Sequence, residues 1–126
     1  MTKEIELYAK KALKALPKFL RHDTIVAETI KCVLFQWVWE NKLIPIPNYK
    51  PPHRSEEPLA LVALNNKGEI IYGFAIAPVI TLRGIKALKA IEAKAKYFIT
   101  FSSLKKKVEE SRFFLDPEVI HLHIEN

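Results

Sequence analysis

A hairpin constrains this chain more than any other feature. Leu59 to Asn65 and Glu69 to Pro78 are rich in Val, Ile, Leu and aromatic residues, and Asn66-Lys67-Gly68 between them supplies turn chemistry. Helical patterns flank the hairpin on both sides, which makes the chain α/β. At 126 residues and 49% apolar, it has the size and composition of one domain with a real core.

Upstream, residues 3–20 place Ile5, Tyr8, Ala12, Leu16 and Phe19 at helical spacing, with Lys10, Lys14 and Lys18 aligned on another face. Pro17 should kink or split that helix. Asp23 reads as the N-cap of a second helix over 24–42, with Val26, Ile30, Val33, Leu34 and Trp37 facing a core. Phe35, Val38 and Trp39 widen its apolar surface beyond one stripe, so either the first helix or a second chain should cover it. Residues 43–58 hold five prolines, which leaves Leu43 to Tyr49 only an edge position. Downstream, the pattern predicts a helix from Thr81 or Leu82 to Ala95 and a strand from Lys96 to Phe101. A helix over Ser103 to Phe113 capped by Ser103, and a final strand from Glu118 to Glu125, complete the chain.

Charge is distributed unevenly. Residues 1–22 carry six Lys/Arg against two Glu and residues 82–107 carry eight against one, whereas the remaining segments are acidic overall. Clustered Lys/Arg is the footprint of a polyanion binder, because phosphate contacts release counterions and dominate affinity. A solvated lysine-rich surface of the kind common in thermophile proteins is the alternative. No apolar run approaches the roughly 20 residues of a membrane span. Residues 1–14 lack the marks of a signal peptide. Cytoplasmic residence is therefore expected, and the lone Cys32 fits a reducing compartment as a buried, inert thiol.

Motifs for chemistry are sparse. Three scattered glycines cannot make a phosphate-cradling loop, and no serine lies in a nucleophile-elbow setting. His121 and His123, two apart on a predicted strand, share a face and could offer two metal ligands, but no third is near in sequence. His22 and His53 fall in turns. The pattern asks for no cofactor, no metal and no small-molecule substrate.

The order helix, edge strand, hairpin, helix, strand over residues 24–101 resembles the PD-(D/E)XK nuclease core, closest in layout to the archaeal Holliday junction resolvases. That family carries a helical glutamate, a Pro-Asp at a strand start and a Glu-x-Lys on the next strand. Here Glu28 stands at the first position, Pro58-Leu59 at the second and Ala75-Ile76-Ala77 at the third. The resemblance implies a restriction-endonuclease-like mixed sheet flanked by helices over residues 24–126, with residues 1–22 as an extra N-terminal helical extension. Two carboxylates and a lysine would hold Mg²⁺ and activate water, and Leu59, Ala75 and Ala77 can do neither. The resemblance thus implies a pseudo-nuclease that binds nucleic acid, DNA in the first instance, by backbone structure rather than sequence. It would self-associate or pair with an active subunit through Phe35, Val38 and Trp39. The expected phosphate contacts are Lys50 and Arg54 in the proline-rich loop, Arg83, Lys86, Lys89, Lys94 and Lys96, with Lys105 to Lys107 as adjuncts. Predominance of lysine favours backbone contact over base reading. Two alternatives stay open: a purely structural or interaction subunit, and a metal-dependent nuclease whose ligands have migrated to Glu56, Glu57 or Glu69.

Overall fold

A computed structural model describes residues 2–51 and 57–125. Arg54, His53 and Glu56, named above, lie outside these residues. Helix α1 (Thr2–Lys14) and helix α2 (Asp23–Glu40) precede strands β1 (Ile44–Tyr49), β2 (Leu59–Leu64) and β3 (Ile70–Ala77). Helix α3 (Leu82–Lys89), strand β4 (Ala95–Thr100), helix α4 (Lys105–Ser111) and strand β5 (Val119–His123) follow. The strands form one mixed five-stranded sheet in chain order. β1, β2 and β3 pair antiparallel, while β3–β4 and β4–β5 pair parallel.

The period-2 alternation of the strands sends side chains to two separate cores. Leu61, Phe74, Tyr97 and Ile99 pack beneath α1 and α2, against Ile5, Ile30 and Leu34. Val62, Ala75, Phe98 and Val119 pack on the opposite face, against Ile85 and Leu88 of α3. Helix α3 sits unusually close to the sheet there. A Cβ built on Gly84 would come within 2.5 Å of the Phe98 ring, and one on Gly73 within 2.5 Å of Ile91 Cδ1.

Local chemistry explains the connections. Helix α1 ends before Pro17, and a 3-10 turn (Lys18–Leu20) follows it. The Arg21 guanidinium donates to the carbonyls of Leu16 and Lys14, satisfying acceptors that the broken helix leaves free. At the end of α2, Lys42 adopts a left-handed φ of 62°, with its N–H donating to Trp39 O and that of Leu43 to Val38 O. This paired pattern is a Schellman ending, and it delivers the chain straight into β1. In the hairpin, Asn65 Oδ1 accepts from the N–H groups of Lys67 and Glu69, and Gly68 takes a φ of 82°. Prolines at 45 and 47 fit β1 because it is an edge strand.

Several expectations need correction. Asp23 is the first helical residue of α2 rather than its cap; the cap is His22, without a side-chain bond. Ser103 does not cap α4, which begins two residues later at Lys105. Helix α3 stops at Lys89, not Ala95. Nothing in Ala90 to Lys94 forbids a helix, but Ile91 must fold down into the second core and Ala95 must enter β4, so tertiary packing overrides propensity. Cys32 is exposed rather than buried, because it lies on the side of α2 directly away from the sheet. Among the described residues, no helix is long and apolar enough to cross a membrane.

Candidate functional site

At the end of the sheet where β3 and β4 finish, a cleft of about 200 Å³ opens between α2, the β2–β3 pair and the start of α3. Glu28, Leu59, Ala75 and Ala77 all line it. Those are the positions that the layout of the sequence singled out, drawn from one helix and two adjacent strands. Leu59 and Ala75 are buried in its wall.

Polar groups that sequence reasoning passed over complete the lining. Lys31, one turn beyond Glu28 on α2, has only 14% of its side chain exposed, with Nζ 3.3 Å from Glu28 Oε1. The same ammonium donates to Asn48 Oδ1 at 2.9 Å. Asn48 reaches it from β1, where its φ of 52° interrupts the regular strand between Pro47 and Tyr49. Glu57, named above only as a migrated metal ligand, and Thr81 also line the cleft, and the Thr81 hydroxyl oxygen accepts the N–H of Gly84 as the N-cap of α3. The i,i+3 spacing of Glu28 and Lys31 was visible in the sequence. Asn48 was not, since its contribution depends on a backbone conformation within a proline-rich edge strand.

Metal chemistry does not fit this lining. A hard divalent cation wants about six oxygen ligands in its sphere, several of them fixed by protein. Leu59, Ala75 and Ala77 offer none, the oxygens of Glu28 and Asn48 already face an ammonium, and Glu57 is the one other carboxylate on the lining among the described residues. No cluster of three or more His, Cys, Asp or Glu residues suited to a metal exists among the described residues.

The basic residues are dispersed more widely than their sequence clustering suggested. Arg83 and Lys86 are exposed on α3, and Arg83 stands one turn before Ala87, which lines the cleft. Lys50 follows Asn48 by two residues and is exposed, and Lys105 opens α4 just past the end of β4. These four lie toward the cleft end. Lys94 and Lys96 sit at the start of β4, the opposite end of the sheet, and Lys89 ends α3 toward that same side. Lys96 is largely buried with Nζ 3.8 Å from Glu118, and Lys89 Nζ lies 3.3 Å from Asp116. The Asp116 carboxyl is held below its ordinary range, first by the N–H of Glu118 and then by Lys89.

Two further features stand apart from the cleft. His121 Nε2 and His123 Nδ1 each approach the buried Thr100 hydroxyl at 2.8 Å. Burial is the main cause that lowers both imidazole pKa values, with Arg112 adding to it for His121 and Lys105 for His123. On α2, Phe35 and Trp39 are 43% and 65% exposed, whereas Val38 is fully buried and belongs to the core. The apolar stripe on the outside of α2 is therefore Phe35 and Trp39 without Val38. No family model, curated protein or solved structure matches the chain.

Proposed function

We propose that this protein is a non-catalytic nucleic-acid-binding domain of nuclease-like architecture, holding the sugar–phosphate backbone along the α3 side of the cleft. One observation carries the reading: apolar side chains at Leu59, Ala75 and Ala77 line the cleft, beside a helix that turns Arg83 and Lys86 to solvent. The fold arrangement of α2, the hairpin, α3 and β4 supports it, as does the placement of Glu28 opposite the hairpin. Lys50 and Lys105 extend the same positive end. Pairing with a second copy or an active subunit would use the exposed stripe of Phe35 and Trp39 on α2.

The test is a salt titration of binding to duplex and four-way-junction DNA. With Arg83, Lys86, Lys50 and Lys105 each neutralising a phosphate, log K should fall with log salt at a slope of about −3 to −4. Absence of affinity at low salt rejects the reading. It would favour instead an interaction subunit that never touches nucleic acid, an alternative supported by the pairing of Lys89 and Lys96 with acidic partners. Incubation with Mg²⁺ or Mn²⁺ should leave both substrates intact.

A further inference from the structure

We infer that the Lys31 ammonium is the built-in cation of the cleft, standing where oxygen donors from α2 and β1 converge and displacing any divalent metal ion. The ammonium and a metal ion would compete for the same atoms. Glu28 Oε1 and Asn48 Oδ1 come from different elements, 20 residues apart in the chain, and both point at Lys31 Nζ, at 3.3 and 2.9 Å. Two oxygens from separate elements thus converge on one point, and the charge that occupies it is the ammonium. A divalent ion entering the cleft would have to share Glu28 and Asn48 with a fixed positive charge held by a mostly buried stem. The left-handed backbone at Asn48 turns from an oddity of the edge strand into the feature that brings the second donor into place.

Removing the ammonium should therefore free these two oxygens to attract a divalent ion more strongly than in the wild-type protein. In a Mn²⁺ titration followed by calorimetry and by electron paramagnetic resonance, Lys31→Met should bind Mn²⁺ at least about tenfold more tightly than wild type. Adding Glu28→Gln to that variant should abolish the gain. Equal affinity in wild type and Lys31→Met, or a gain that survives Glu28→Gln, overturns the inference. A thermal melt confirms that each variant is folded. Should Lys31→Met not fold, the wild-type protein still decides the matter by NMR: Mn²⁺ should leave the Glu28 and Asn48 resonances sharp, and selective broadening there overturns it.

One corollary rests on the nucleic-acid reading: DNA affinity of the wild-type protein should be unchanged when Mg²⁺ is replaced by EDTA at constant ionic strength. If wild type binds no DNA at all, that reading fails while the Mn²⁺ outcomes stand. If it binds DNA only with Mg²⁺ present, the built-in cation fails and the nucleic-acid reading survives.

Discussion

Thr100 Oγ1 lies 2.8 Å from His121 Nε2, across the parallel pairing of β4 and β5, and equally close to His123 Nδ1. A hydroxyl has one proton to give, so it donates to one ring and accepts from the other, which fixes complementary tautomers at the two contacting nitrogens. Protonating the accepting ring would leave the buried hydroxyl without an acceptor, and protonating both would set two cations side by side, near Arg112 and Lys105. Glu109, Glu125 and Glu6 oppose this only partly.

The pH dependence follows from the depressed imidazole values. The unfolded chain binds protons to these histidines more readily than the folded one, so stability rises with pH across the window and is fully present above the unfolded value of about 6.5. Denaturant midpoints measured from about pH 7.5 down to about pH 5 should fall as acid is added. The His121→Gln, His123→Gln double variant should show a shallower fall. An identical slope in both proteins rejects the assignment.

Gly84 of α3 and Gly73 of β3 both lie where the helical layer meets the sheet but should respond differently to a methyl group. At Gly84 the new Cβ meets the rigid, buried ring of Phe98 at 2.5 and 2.9 Å, and Gly84→Ala should cost about 1–3 kcal/mol. At Gly73 the closest obstacle is the terminal methyl of Ile91, which can rotate away. Urea unfolding should rank Gly84→Ala clearly below Gly73→Ala in stability.

Lys42 holds a left-handed φ where helices most often place glycine. Lys42→Gly should raise stability by roughly 0.5–1 kcal/mol, because relief of strain outweighs the added freedom of the unfolded chain. Lys42→Val at the same site should lower it. A thermal melt of the three proteins gives the order directly.

For nucleic acid, position on the sheet should matter more than charge count. Arg83→Ala and Lys86→Ala should each weaken DNA binding and reduce the salt slope by about one. Lys94→Ala, at the far end of the sheet, should leave both unchanged. Equal effects from all three would mean a diffuse positive field with no defined contact surface.

The sequence made the hairpin, the edge strand and α2 legible because each rests on local rules: turn chemistry at Asn65 to Gly68, prolines at 45 and 47, and apolar spacing in α2. The end of α3 was not legible, since the descent of Ile91 into the core is decided by a sheet it does not adjoin in sequence. The apolar half of the cleft, Leu59, Ala75 and Ala77, could be placed by layout. Of its polar lining Glu28 could be placed in the same way, but the contact of Lys31 with Asn48 could not, because the two meet across 17 residues through an irregular strand. The basic residues show the same division. Their number was plain, but only the topology separates Arg83 and Lys86 at the cleft end of the sheet from Lys94 and Lys96 at the other.

The two edges of the sheet are chemically unequal. β1 presents prolines at 45 and 47, which have no N–H to offer, whereas β5 runs Val119–His123 without one. Strand addition is thus disfavoured at β1 by comparison with β5. Two copies joined at β5 would carry a proline-bearing strand at each outer limit, so growth along the hydrogen-bonding direction beyond two copies is disfavoured in turn. The prolines of β1 guard that edge against fibre growth.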